Sequence, residues 1–199
     1  VLGALAARAA GRPFDRFLQA RVFEPLGMVD TGFAVPPGSL ARFGPCYGVD
    51  EAGERSVYDE TEGGWATPPA FPSGGAGLVS TVADYLTFAR MLLSGGVHEG
   101  ERLLSAELVA AMTTNHLTAE QLTTAAPDPS GGQGWGFGVG VQVRSTPTSP
   151  IGSYGWAGGL GSTWANDPAT GTIGVVLTNQ MRTSPEPPPL YVDFSAAGF

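Results

Sequence analysis

Among the residues of this chain whose type and spacing can do chemistry, Cys46 stands out, because Gly44-Pro45-Cys46-Tyr47-Gly48 has the form Gly-x-nucleophile-x-Gly. In such an elbow the nucleophile sits on a sharp turn between a buried strand and a helix, and a histidine takes its proton. The two histidines, His98 and His116, are the bases on offer. The segment after the cysteine, Val49-Asp50-Glu51-Ala52-Gly53, reads as a turn and not as a helix. A cysteine packed on a strand or loop is therefore the simpler reading. Two separated histidines and one cysteine do not make a zinc site, so no metal and no cofactor is expected. The acids in Tyr58-Asp59-Glu60-Thr61-Glu62 read as a solvated loop face.

The elements that must position any such residues follow from periodicity. Val1, Leu2, Leu5 and Ala9 fall at helical spacing with no cap or initiator methionine before them, so the chain is expected to be incomplete at its N-terminus. Pro13 suits a first helical turn, and Phe14, Phe17, Leu18 and Val22 extend an apolar stripe that Pro25 stops. Loops and an edge strand are expected between Val29 and Ser73. Ser80-Thr81 with Asp84 caps a helix whose inner face is Tyr85, Phe88, Ala89, Leu92 and Leu93, ended by Gly95-Gly96. A shorter helix from Ser105 to Met112 should turn Leu108 and Met112 inward. Trp135 to Val143 alternates bulky residues with glycine and predicts one strand whose glycine face a helix can approach. Strands are also expected at Gly152 to Ala157, Ser162 to Asn166 and Thr172 to Thr178, with a turn at Asp167-Pro168-Ala169-Thr170-Gly171. The segment from Ser184 to Pro189 should be extended. Together these give an α/β fold of the α+β type, an antiparallel sheet flanked by helices.

Composition narrows the function. A chain of 199 residues that is 42% hydrophobic can bury a sizeable core. A formal charge of −8 with no basic cluster argues against nucleic acid and acidic membrane surfaces as partners. No apolar run reaches the roughly 18 residues that span a bilayer. All ten basic residues are arginine, and there is no lysine.

Three stretches together resemble the class C β-lactamases, the penicillin-binding proteins and their esterase relatives. The first runs from Val1 to Phe33, with Gly11-Arg12-Pro13-Phe14, Phe23-Glu24-Pro25-Leu26-Gly27-Met28 and Asp30-Thr31-Gly32-Phe33. The second is Pro72-Ser73-Gly74-Gly75-Ala76-Gly77-Leu78-Val79-Ser80-Thr81. The third is Gly155-Trp156-Ala157-Gly158-Gly159-Leu160-Gly161-Ser162, which is similar to the family's Lys-Thr-Gly motif in the form used by esterase-like members, with Trp156 in the lysine position.

The resemblance implies acyl transfer. A serine attacks a carbonyl, a lysine and a tyrosine handle its proton, and water later releases the acyl group. It assigns Gly159 as one of two backbone N–H donors to the oxyanion, on a strand carrying Trp156, Ala157 and Gly158, and makes Ser73, Gly74 and Gly75 a wall of the cleft. Local pattern alone reads Gly158-Gly159 as a tight turn and Trp156 as a buried aromatic. The family's nucleophile motif is Ser-x-x-Lys, which a chain without lysine cannot contain. Residues 1–199 are thus expected to be the C-terminal part of a single hydrolase domain. The missing N-terminal part is its partner, a small ester or amide its substrate, and the chain alone is inactive. A noncatalytic binding module of the same fold is the alternative.

Overall fold

A computed structural model describes residues 1–124, 132–146, 149–184 and 186–198. They gather into two compact units, Val1–Phe88 with Asn179–Met181, and Ala89–Thr178 with Arg182–Phe199. Among the described residues no helix is long and apolar enough to cross a membrane.

In the first unit, α1 (Leu2–Ala10) ends where Gly11 adopts a left-handed φ of 63° and Arg12 N–H reaches back to Ala7 O at 3.1 Å. Helix α2 (Phe14–Leu18) follows Pro13 and widens into a π-helical turn, Gln19–Phe23, closed by Glu24 N–H to Gln19 O. Phe23, Leu26, Met28 and Phe33 are buried behind it. The region expected to hold loops and an edge strand holds an antiparallel hairpin, β1 (Cys46–Val49) with β2 (Arg55–Asp59). The chain returns beside β1 much later, where Tyr47 N–H donates to Asn179 O and Met181 N–H to Tyr47 O, both at 2.7 Å.

Helix α3 (Val82–Leu93) contributes Val82–Phe88 to the first unit and Ala89–Leu93 to the second. Its start is capped by Thr81 Oγ1, which accepts from Asp84 N–H at 3.2 Å. The buried Asp84 carboxylate accepts from Asp30 N–H and from Thr31 Oγ1, both at 2.8 Å, and so ties the Asp30-Thr31 turn to the helix. In the second unit a small hairpin, β3 (Val97–His98) and β4 (Glu101–Arg102), places His98 on a strand and not in a loop. Both residues of its turn have positive φ, Glu99 at 48° and Gly100 at 86°.

Helix α4 (Ala106–Met112) is capped by Ser105 Oγ, which accepts from Leu108 N–H at 3.2 Å. The expected inward face is corrected: Leu108 is exposed, and Val109 is the buried residue. Helix α5 (Ala119–Thr124) begins with a reciprocal capping box between Thr118 and Gln121.

The main sheet is antiparallel with five strands in sequential order: β5 (Gln133–Trp135), β6 (Gly140–Gln142), β7 (Tyr154–Ala157), β8 (Thr163–Asp167) and β9 (Thr172–Val176). Here the expected single strand from Trp135 to Val143 is corrected to a hairpin. Gly138 has a φ of 87°, Gly136 N–H donates to Val139 O, and the chain reverses between Trp135 and Gly140. Glycine at every second position imitates a strand's alternation while supplying the left-handed residue that a turn needs. The expected close approach to the glycines is present, since a Cβ on Gly136 would lie 1.9 Å from Met112 O at the end of α4. The β8–β9 turn is held by Asp167, whose carboxylate accepts from Ala169 N–H and Thr170 Oγ1. Helix α6 (Pro189–Gly198) lies against the sheet with Tyr191 buried.

One polar knot anchors the sheet to the second half of α3. Asn166 is fully buried, donates to Ala89 O and to Tyr154 Oη, and accepts from Trp164 Nε1, each at 2.9 Å. Truncating it strands three buried partners, so Asn166→Ala should cost about 2–4 kcal/mol in urea denaturation. In the β3–β4 turn, Glu99→Asn should instead stabilise by about 0.5–1 kcal/mol in the same measurement, because asparagine tolerates the left-handed conformation better than glutamate.

Candidate active site

Strand β7 pairs fully with β8 but only partly with β6. On the β8 side the register is Tyr154↔Asn166, Gly155↔Ala165, Trp156↔Trp164 and Ala157↔Thr163, whereas on the β6 side it stops after Val141↔Tyr154 and Gly140↔Gly155. The cause is the hairpin turn at 136–139, which among the described residues leaves no strand beside Trp156 and Ala157 on that flank.

Past Ala157 the chain makes a tight turn. Gly158 N–H donates to Ser162 O at 2.8 Å, continuing the β8 ladder, and Gly161 N–H donates to Gly158 O at 3.2 Å. Two further bonds pin the turn: Arg182 N–H to Gly159 O at 2.9 Å and Thr178 Oγ1 to Gly161 O at 2.7 Å. Gly158 N–H is thus committed to Ser162, whereas Gly159 N–H makes no hydrogen bond among the described residues, and Gly159 is exposed with no atom within 4 Å of where a Cβ would stand. A free amide on a pinned backbone is the kind of group that holds charge developing on an oxygen.

Trp156 is exposed, not the buried aromatic that local pattern suggests, and it meets Trp135 edge to face with ring centroids 4.4 Å apart. Sequence reasoning placed Trp135 at the start of a single strand, on the face away from the glycines; in the structure it is the last residue of β5, with Gly134 against the Asn115 side chain and Gly136 against the Met112 carbonyl. Trp156 also lines, with Gly155, Ala157 and Thr163 and with Tyr191 and Ser195 of α6, a groove of about 240 Å³.

The remaining candidates are placed as follows. Ser73, Gly74 and Gly75 form an exposed stretch of the first unit, with Ser73 Oγ accepting from Gly75 N–H. Gly74 packs backbone to backbone on Gly3 of α1, where a Cβ would lie 2.7 Å from Gly3 N. Cys46 opens β1, is buried opposite Asp59, and no helix follows it, so the elbow context is absent. His116 stacks on Phe137 at 4.2 Å, and its Nε2 bonds Ala111 O, a carbonyl in the last turn of α4.

The family model described as Beta-lactamase matches residues 1–197. The chain belongs to the β-lactamase family. It is 35% identical over 205 residues to Protein Rv1367c of Mycobacterium tuberculosis, an alignment covering 99% of this chain and 49% of that protein. It is 29% identical over 199 residues to Esterase EstB of Burkholderia gladioli, covering 90% and 47%. Among solved structures, EstCE1, described as a hydrolase with promiscuous acyltransferase activity, superimposes with a TM-score of 0.71 at 27% identity, covering 90% of this chain and 49% of that one. The chain therefore spans about half the length of the curated relatives it matches. The fold is the β-lactamase and transpeptidase fold, and the family is one of hydrolases that includes esterases and penicillin-binding proteins.

Burial, with a smaller contribution from the Asp59 charge, pushes the Cys46 thiol above its ordinary range. At pH 8 a disulfide reagent such as Ellman's should therefore label native Cys46 at no more than about a tenth of the rate seen in the urea-unfolded chain.

Proposed function

We propose that these residues form the oxyanion-bearing C-terminal part of a serine hydrolase that cleaves small esters or amides through an acyl-enzyme. The observation that carries the reading is the free N–H of Gly159 at the end of a pinned strand. Nothing in the fold demands glycine there. Its φ is not left-handed and no neighbour crowds it, unlike Gly161 with a φ of 90° or Gly155, where a Cβ would sit 2.0 Å from Trp164 O. A methyl group has room there, and what a bulkier side chain at this position would obstruct is the space in front of the amide.

The nucleophile is assigned to a Ser-x-x-Lys segment outside these residues. Two facts support this: the 199 residues contain no lysine, and the matched relatives are about twice as long. In the reaction the serine Oγ bonds to the substrate carbonyl carbon while its proton passes to the lysine and tyrosine pair. The carbonyl π electrons move onto oxygen, which is held between the serine's own N–H and Gly159 N–H. Collapse expels the alcohol or amine, which takes up that proton, and water repeats the sequence on the acyl-enzyme to release the acid. Gly158 has no part in this as a donor, because its N–H is committed to Ser162. Trp156 stands where the resemblance places a lysine and offers an apolar face in place of a cation, which favours an uncharged ester over a substrate bearing a carboxylate. Ser73, Gly74 and Gly75 are proposed as substrate-contacting residues on the second of the three resembling stretches.

The test compares two substitutions in a polypeptide extended upstream through Ser-x-x-Lys. Gly159→Pro removes the amide hydrogen at the second position of a turn, where proline is well tolerated, while Gly159→Ala keeps it. Proline should lower kcat on a short-chain nitrophenyl ester by about 10²–10³-fold with little change in KM, and alanine should stay within a few-fold of the parent. Equal activity of the two variants, or activity of the 199-residue chain alone that Cys46→Ala abolishes, would sink the reading.

A further inference from the structure

The exposed tryptophans beside β7 are not explained by the oxyanion site or by folding. Trp156 is 49% exposed and Trp135 37% exposed, although large aromatic rings are ordinarily drawn into cores and contiguous exposed apolar surface marks a binding site. Their rings meet at 85° and 4.4 Å between centroids, which makes a corner of two perpendicular flat walls. Among the described residues neither indole N–H donates a hydrogen bond, whereas Trp65 Nε1 donates to Gly77 O and Trp164 Nε1 to Asn166 Oδ1.

The corner is held in place before any ligand arrives. Trp135 N–H donates to Asn115 Oδ1 at 3.0 Å and Trp135 O accepts from His116 N–H at 2.8 Å, so its backbone is clamped on both sides. Trp156 lies in the β7–β8 ladder opposite Trp164. Tryptophan has only two side-chain torsions, so a ring on so fixed a backbone loses little freedom when a ligand stacks on it. The corner also adjoins the unpaired flank of β7, three residues before Gly159 on the same pinned segment.

We propose that Trp135 and Trp156 select the substrate by a planar aromatic ring, so that aryl esters are taken in preference to alkyl esters of the same size. The inference rests on the reading of β7 and Gly159 as the acyl-transfer site. A flat ring can stack on one indole and present its edge to the other, a pairing that a puckered saturated ring cannot reproduce.

Phenyl acetate and cyclohexyl acetate share their connectivity and differ in flatness, and the saturated ester is the more hydrophobic. Titrated into the 199-residue chain and followed by the four indole N–H signals in proton–nitrogen correlation spectra, phenyl acetate should bind about fivefold more tightly than cyclohexyl acetate. It should move the Trp135 and Trp156 signals while leaving those of Trp65 and Trp164, which report on the intact fold. The Trp135→Leu and Trp156→Leu variants should each lose that preference. Equal or tighter binding of cyclohexyl acetate, or phenyl acetate binding that survives in the double variant, overturns the proposal. Hydrolysis by the upstream-extended polypeptide separates this inference from the one it rests on. Cleavage of both esters at equal kcat/KM defeats the aromatic corner and leaves the hydrolase standing, while selective binding without any cleavage does the reverse.

Discussion

The register of β7 against β8 is the constraint on which the second unit depends, and a single buried amide fixes it. Asn166 spends its two polar ends on Trp164, Tyr154 and the Ala89 carbonyl, in a fully buried position. A slip of one residue along β8 would turn Asn166 to the α6 face and leave those partners bare. Tyr154 and Trp164 add an edge-to-face contact at 6.0 Å, but apolar contact alone tolerates a slip better than hydrogen bonds do. With the register fixed, Gly158 meets Ser162, and the amide left without a partner among the described residues is that of Gly159.

The incomplete pairing of β7 is the second consequence of local geometry. A strand edge is a row of unsatisfied donors and acceptors, and folded proteins ordinarily cover or blunt it. Here β6 withdraws after two residue pairs because the 136–139 turn consumes the chain that could have continued it. That turn is pressed against the end of α4, where Phe137 N–H donates to Met112 O, and this fixes how far the hairpin can reach. One hydrogen bond between the turn and a helix carbonyl thus helps decide both that the flank is open and that Trp135 stands beside it.

Much of this was legible in the sequence, for identifiable reasons. The helix from Val82 announced itself through its Ser80-Thr81 cap and apolar face, and the β8–β9 turn through Asp167 and Gly171, because caps and turns are local chemistry. The glycine-rich third stretch was legible as a strand running into a tight turn. The β5–β6 hairpin was not, since glycine at alternate positions satisfies the pattern of a strand and of a turn equally, and only contact with α4 decides between them. Leu108 was misplaced for a related reason: on a helix of seven residues, Ala106–Met112, several apolar faces compete and tertiary contact chooses Val109. Whether the Gly158 or the Gly159 amide is the free one could not be read from local pattern, which leaves the choice to the family resemblance, because it depends on which of them the β8 ladder uses.

The chemistry available to β7 and its turn is correspondingly narrow. From Tyr154 to Ser162 the only titratable side chain is Tyr154, and burial holds its phenol above the ordinary range, an effect that the hydrogen bond from Asn166 opposes only in part. No group in this segment changes charge between pH 5 and pH 9, so an oxyanion donor built here is indifferent to pH across the range in which hydrolases work. Under the proposed function, a pH–rate profile of the extended polypeptide should be unchanged in its midpoints by Gly159→Pro even as its height falls, because the proposal assigns every ionisation it reports to the serine, lysine and tyrosine segment. A shifted midpoint in that variant would mean that the turn couples to a titrating group. The separation is what one expects of a site in which one part of the fold moves protons and another only holds a dipole in place.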